Sequence, residues 1–180
     1  DSRREIWELF EKGELALRKH FPEAERLLIR RENVTYVAYR VGKTGAPDGL
    51  EGRKVPAETF PALERAGSLG VSGRTGRCLY ASNDLVLDGL AHELLGAMPS
   101  KQDNVRGVNG FHYVAGLNLA SGGYALIDPT WPVSSDAERD QGWPQGVLVL
   151  ADSRQDAMKA GAVLYGAPLE AEPADPRLRH

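Results

Sequence analysis

The sequence has only one cysteine, Cys78, among its 180 residues. A single cysteine excludes an intramolecular disulfide, so the fold has to be stabilised by its hydrophobic core. A lone thiol also fits a reducing site of action. It leaves one residue as a candidate for thiolate chemistry.

Long apolar runs and an excess of positive charge are absent as well. The longest apolar runs, such as residues 147–151, are far shorter than the roughly 20 residues that cross a bilayer. A formal net charge of -3 and a pI of about 5.8 provide no positive field that would attract nucleic acid or an anionic membrane surface. We therefore expect neither nucleic acid nor a membrane as a partner.

The known patterns for holding a metal ion or a nucleotide are also lacking. The four histidines and one cysteine show no ligand spacing such as H-E-x-x-H. The glycine-rich segment 67–76 contains neither G-x-G-x-x-G nor G-x-x-x-x-G-K-[ST], so the nearby Arg74 and Arg77 do not indicate a phosphate cradle. We expect no metal and no cofactor.

The length and the composition, with 42% hydrophobic residues, fit one globular domain, which we place at residues 1–165. The tail 166–180 is rich in proline and acidic residues, so we expect it to be flexible. The chain begins at Asp1 without a methionine or an apolar signal region, and we expect it to be a domain of a longer protein.

The hydrophobic pattern predicts both helices and strands. Helical spacing of apolar residues predicts helices at 2–20, 78–95 and 153–163, the last capped by Ser153, and a short helical stretch at 60–66. Alternating or β-branched runs predict strands at 33–41, 111–119, 123–128 and 147–151. Because several strands follow one another without a helix between them, we predict an α+β fold rather than an alternating parallel sheet.

Cys78 comes directly after the glycine-rich segment, at the start of a predicted helix. The N-terminus of a helix carries free N–H groups and partial positive charge, both of which lower the pKa of a thiol. The preceding glycines would let a substrate carbonyl approach, with the Cys78 N–H as a donor to an oxyanion. This placement predicts a nucleophile for acyl transfer, although a lone cysteine is often only a small buried residue.

His112 is the best partner for this thiol. His20 ends a surface helix, and His180 ends the tail. His92 would lie about 21 Å along the helix that Cys78 begins, at about 1.5 Å per residue. In the strand 111–119 the imidazole of His112 lies on the less apolar face, opposite the face of Tyr113.

Asp128 ends the strand that follows. If the loop between the two strands has three residues, 120–122, then paired positions sum to an even number and His112 and Asp128 share one face of the hairpin. A carboxylate there would orient the imidazole and stabilise the imidazolium, the third role of a catalytic triad. Without His112, Asp128 before Pro129 would be interpreted as a turn former.

Three segments resemble a known superfamily when they are taken together: 76–78 (G-R-C), 110–114 (G-F-H-Y-V) and 124–131 (Y-A-L-I-D-P-T-W). They look like the transglutaminase-like core of papain-fold cysteine enzymes, in which Cys, His and Asp occur in this order and D-P-T-W commonly follows such a strand. Order and spacing are also similar to those of bacterial papain-fold glutamine deamidase toxins. Arylamine N-acetyltransferases are similar too, since an Arg/Gly-rich loop precedes their nucleophile.

The resemblance covers residues 73–131 and implies a papain-like or transglutaminase-like core, with the nucleophile helix packed on an antiparallel sheet. It makes Cys78 the nucleophile, His112 the general base and acid, and Asp128 the orienting carboxylate. Candidate substrate contacts beside this triad are Gly76, Arg77, Tyr113 and Trp131. For Trp131, as for Trp143, a core or lid position is the usual alternative.

The activity implied by this resemblance is attack on a carboxamide, in particular deamidation or transamidation of a protein glutamine. No glutamine lies shortly upstream of Cys78, where papain-type proteases place an oxyanion donor, which disfavours a protease. The alternatives are a cysteine protease, an arylamine N-acetyltransferase-like acyltransferase, and a non-catalytic interaction domain that retains the fold. The resemblance to toxins suggests a catalytic domain of a secreted bacterial effector acting in a reducing cytosol, with an immunity or inhibitor protein as a further partner.

Overall fold

The computed structural model of the chain describes residues 2–31, 34–42, 55–68, 78–97, 112–120, 122–130, 144 and 146–179. Within this part the chain is a mixed fold of four α-helices and a seven-stranded sheet. The helices are α1 (Ser2–His20), α2 (Phe60–Ser68), α3 (Cys78–Leu87) and α4 (Arg154–Tyr165). The strands are β1 (Glu25–Arg31), β2 (Val34–Val41), β3 (Glu93–Ala97), β4 (His112–Asn118), β5 (Tyr124–Asp128), β6 (Gly146–Ala151) and β7 (Leu169–Glu172).

The strands lie in the order β1-β2-β6-β5-β4-β3-β7. All neighbouring strands are antiparallel except β2 and β6, which are parallel with Val37 opposite Val147. Strand β6, one of the inner strands, is buried along its whole length, as a strand covered on both faces must be. The prediction of helices combined with a largely antiparallel sheet is confirmed at this level.

Helices cover both faces of the sheet, and each face has its own core. On one face, Leu63 of α2 and Leu85 of α3 belong to a cluster with Leu117 of β4. On the other face, Leu17 of α1 and Leu164 of α4 belong to a second cluster. The face of β4 that carries His112 and Val114, predicted to be the less apolar one, is covered by α1 and α4.

The nucleophile helix was predicted to run to residue 95, and this prediction was wrong. Helix α3 ends at Leu87, and Gly89 follows with a φ of 73°, a conformation that glycine adopts readily. The apolar residues after it form β3, which pairs with β4 through Leu95 opposite Val114. A short apolar run has the same composition in a buried strand as in a helix, so periodicity alone could not separate the two.

The tail was expected to be flexible, and the structure differs. Residues 169–172 form β7 on the edge of the sheet, and a 3-10 turn follows at Pro176–Leu178. Asp175 lies between these two elements, and its backbone exchanges two hydrogen bonds with the side chain of Asn83 in α3, at 2.9 and 2.8 Å. Because these bonds lie on a buried helix residue, the tail is fixed against α3 despite its polar composition.

Helix α4 has the N-cap that its sequence predicts but ends at Tyr165, two residues after the predicted end at residue 163. The Ser153 side chain accepts a hydrogen bond from the backbone N–H of Asp156 at 3.1 Å, so Ser153 is the N-cap. Gly166 adopts the left-handed conformation directly after Tyr165, with a φ of 72°. These caps fix where the helix stops and therefore place Tyr165 at the end of the sheet that holds the site described below. No helix in the described residues is long and apolar enough to span a membrane.

Candidate active site

Cys78, His112 and Asp128 meet at one end of the sheet. Cys78 is the first residue of α3, His112 is the first of β4, and Asp128 is the last of β5. Since β4 and β5 run antiparallel, the start of one strand lies beside the end of the other. The pairing of the strands thus places all three side chains at the same end of the sheet.

The hairpin between β4 and β5 has the geometry that the sequence predicted. Asn118 is opposite Tyr124, and the Leu119 N–H donates to the Gly123 carbonyl at 2.9 Å, so the paired residues end at Leu119 and Gly123, as a three-residue loop requires. Gly122 has a φ of 95°, which favours glycine there. His112 and Asp128 therefore lie diagonally on one face, and His112 Nε2 is 2.9 Å from Asp128 Oδ2.

The carboxylate of Asp128 is held by donors on both oxygens. Its side chain is 1% exposed. Oδ2 faces His112 Nε2 and also accepts a hydrogen bond from the Tyr165 hydroxyl at 2.8 Å. Oδ1 accepts from the Thr130 backbone N–H at 3.1 Å and from the Thr130 hydroxyl at 3.2 Å. A buried carboxylate with this many donors is held ionised and in one orientation.

Tyr165 and Thr130 were not identified as site residues from the sequence. For Thr130 a signal was present, because an aspartate side chain commonly accepts a hydrogen bond from the backbone two residues later. Tyr165 gave no such signal, since it is 37 residues from Asp128 along the chain and reaches it only through the packing of α4 on the sheet. Its ring also lies against the imidazole of His112, with centroids 4.8 Å apart.

The thiol of Cys78 faces the imidazole of His112. Burial raises the pKa of the Cys78 thiol. The hydrogen bond with His112, the charge of its imidazolium and a hydrogen bond from the Tyr113 backbone lower this pKa, and together they outweigh burial and the opposing charge of Asp128. The net pKa is below that of an ordinary thiol. Because Nε2 is bound to Asp128, Nδ1 is the nitrogen left for the hydrogen bond with Cys78.

The imidazole responds in the opposite direction. Burial lowers the pKa of His112, whereas the charge and hydrogen bond of Asp128, followed by those of Cys78, raise it to about 10. Burial likewise raises the pKa of Asp128, but the attraction and hydrogen bond of His112 outweigh it and the pKa falls below its usual value. At neutral pH these directions favour a thiolate, an imidazolium and a carboxylate in a row.

The helix that carries Cys78 is fixed to the strand that carries His112. The Ser82 hydroxyl, one turn after Cys78, donates to the Tyr113 carbonyl of β4 at 3.1 Å. Because Cys78 lies in the first turn of α3, its backbone N–H has no acceptor within the helix. The helix therefore presents a donor and partial positive charge beside the sulfur.

The predicted substrate contacts are only partly within the described structure. Tyr113 lies next to His112 and its ring is partly buried. Burial, the charge of Glu172 and a hydrogen bond to that carboxylate raise the pKa of its hydroxyl. Gly76, Arg77 and Trp131 lie outside the described residues.

His92 does not lie on a helix, so the reason for discounting it was wrong. It precedes β3, and its Nδ1 accepts a hydrogen bond from the Asn118 backbone N–H at 2.8 Å. His112 begins β4 and Asn118 ends it, so the two residues are about 20 Å apart at about 3.4 Å per residue. His92 is therefore remote from the Cys78 thiol for a different reason.

The described residues contain no group of three or more His, Cys, Asp or Glu side chains that could hold a metal ion. Comparison with known proteins adds no further identification: no protein-family model, curated protein or solved structure matches this chain. The geometry of the site is thus the basis for proposing a function.

Proposed function

We propose that the chain is a cysteine-dependent acyl-transfer enzyme with Cys78 as the nucleophile, His112 as the general acid and base, and Asp128 as the orienting carboxylate. One observation carries the proposal: His112 Nε2 lies 2.9 Å from the buried carboxylate of Asp128, and the thiol of Cys78 is hydrogen-bonded to the same imidazole. A chain of sulfur, imidazole and buried carboxylate is the arrangement that activates a thiol for attack on a carbonyl.

On a carboxamide, the thiolate of Cys78 attacks the carbonyl carbon and the carbonyl oxygen takes up the electron pair. The tetrahedral intermediate collapses as the imidazolium of His112 gives its proton to the amino group, which leaves as ammonia, so that a thioester forms. Water then attacks the thioester while neutral His112 accepts its proton, so that the carboxylic acid is released and the thiolate of Cys78 and the imidazolium of His112 are restored. An amine in place of water gives a new amide.

The choice of glutamine and of a protein substrate rests on the resemblance of the segments around Cys78, His112 and Asp128 to transglutaminase-like enzymes and glutamine deamidase toxins. We propose on the same basis that α3, β4 and β5 form a papain-like core. In the structure, a helix beginning with the nucleophile and an antiparallel hairpin bearing His and Asp support this assignment. Delivery of the domain as a bacterial effector into a reducing cytosol, and inhibition by an immunity protein, belong to the same proposal.

Intact-mass analysis of candidate proteins incubated with the domain tests this function. We expect a gain equal to the exchange of a carboxamide for a carboxylate, or cross-linked species when an amine is supplied. Neither product should form with Cys78→Ala. Fragments would show a protease instead, and acetylated arylamines would show an N-acetyltransferase.

Two matched variants strengthen the test. His112→Gln keeps a polar side chain of similar size but cannot exchange the proton, and it should abolish the product. His92→Gln makes the same change at a histidine that bonds to Asn118 at the far end of β4, and it should retain the product. Equal product from the domain and from Cys78→Ala would contradict the nucleophile assignment, and a domain with an unreactive thiol would indicate a non-catalytic interaction module.

A further inference from the structure

Tyr165 contacts two members of the proposed catalytic triad, His112 and Asp128. Its hydroxyl donates to Asp128 Oδ2 at 2.8 Å, the same oxygen that faces His112 Nε2 at 2.9 Å. Its ring is tilted by 42° against the imidazole at a centroid distance of 4.8 Å. As the last residue before the left-handed Gly166, it is held in this position by the end of α4.

The shared oxygen gives the contact a chemical consequence. A carboxylate oxygen that accepts two hydrogen bonds divides its negative charge between them, and each bond weakens the attraction available to the other. The Tyr165 hydroxyl thus limits how strongly Asp128 can stabilise the imidazolium of His112. This matters for catalysis because a very weak acid donates its proton to a leaving group poorly.

We propose that Tyr165 is a positioning residue that sets the basicity of His112 through Asp128 and holds the imidazole plane in line with the thiol of Cys78. The inference rests on the proposed function, since it assigns the residue a part in the same proton transfers. Tyr165 touches neither the sulfur nor the reacting carbonyl in this account.

Other charged or titratable groups also lie near the triad, and they define the background against which Tyr165 acts. The Cys78 thiol faces His112 from α3. Burial and then the charge of Asp128 raise the pKa of the Tyr36 hydroxyl on β2. Tyr113 on β4 is bonded to Glu172 on β7 and senses the charge of Cys78. In the described residues only Tyr165 and Thr130 share the carboxylate with His112 through hydrogen bonds.

Tyr36 provides a matched control for a tyrosine hydroxyl. Its hydroxyl is buried and has no hydrogen-bond partner among the described residues. Tyr36→Phe therefore removes the same atom near the same carboxylate without removing a hydrogen bond. Tyr165→Phe removes the donor to Asp128 and retains most of the ring contact with His112.

The test is an NMR titration of the histidine side chains in the whole chain, with the His112 signal identified by its loss in His112→Gln. We expect the midpoint of His112 to move to higher pH in Tyr165→Phe, because the full charge of Oδ2 then acts on the imidazolium. Tyr36→Phe should titrate like the unsubstituted protein. An unchanged or lower midpoint in Tyr165→Phe, or equal movement in both variants, would overturn the proposal.

The same titration separates this inference from the proposed function. If Cys78→Ala leaves the His112 titration unaltered, the thiol and the imidazole do not form an ion pair and the proposed function fails. The comparison of Tyr165→Phe with Tyr36→Phe still decides the role of Tyr165, because it depends only on the contact between His112 and Asp128.

Discussion

Replacement of Asp128 by Asn changes one atom in the most buried part of the site. Thr130 presents two donors to Oδ1, its backbone N–H and its hydroxyl, so the amide oxygen of the asparagine must remain on that side. The amide nitrogen then faces His112 Nε2 at the position of Oδ2. Two donors would meet there unless the histidine proton moves to Nδ1, the nitrogen that serves Cys78.

The consequence is a histidine in the wrong tautomer and without its counter-charge. An imidazole that carries its proton on the side of the thiol cannot accept another proton from it, and the thiol becomes an ordinary one. At neutral pH an ordinary thiol is only a few per cent ionised, so we expect the alkylation rate of Cys78 to fall roughly 10–30-fold. Acyl transfer should fall by about 10⁴-fold, equivalent to about 5 kcal/mol of transition-state stabilisation.

The assay is alkylation of the folded protein by iodoacetamide at neutral pH, followed by intact mass. Asp152→Asn is the matched control, because that carboxylate is also ion-paired, to Arg40 at 3.2 Å, but lies past the end of β6 that is remote from the site. Urea unfolding establishes that both variants remain folded. Undiminished alkylation in Asp128→Asn would refute the reasoning, since the carboxylate would then have no part in forming the thiolate.

Two further predictions concern stability. Asn83→Ala removes both hydrogen bonds to the backbone of Asp175 and should lower the free energy of unfolding by about 2 kcal/mol in urea titrations. Asp175→Ala keeps these backbone hydrogen bonds and serves as the comparison. Equal losses in the two variants would contradict a fixed tail. His112 has its pKa raised to about 10, so its contribution is full below its unfolded pKa of about 6.5 and is lost as pH rises to about 10. The stability difference between the protein and His112→Gln should shrink over this window, and a difference that grows with pH would contradict it.

The sequence was informative where local rules decide the structure. The three-residue loop at 120–122 fixed the parity of the hairpin and therefore brought His112 and Asp128 to one face. Ser153 marked the start of α4 through its capping chemistry. These features depend on a few neighbouring residues, so no tertiary information was needed.

Features that depend on distant contacts were not predictable. Leu94 and Leu95 fit a helix as well as a strand, and only pairing with β4 makes them β3. The edge strands β1 and β7 carry many charged residues, and neighbouring strands rather than their own pattern define them. Tyr165 reaches Asp128 because two helices cover that face of the sheet, a consequence of packing that no motif records.

The most direct measurement is the ultraviolet absorbance of the Cys78 thiolate as a function of pH, with Cys78→Ala as the blank. We expect the thiolate to appear well below the pH range of an ordinary thiol, and His112→Gln to return it to that range. Thiolate absorbance that develops only in the ordinary alkaline range, and is the same in both proteins, would contradict the convergence of sulfur, imidazole and carboxylate.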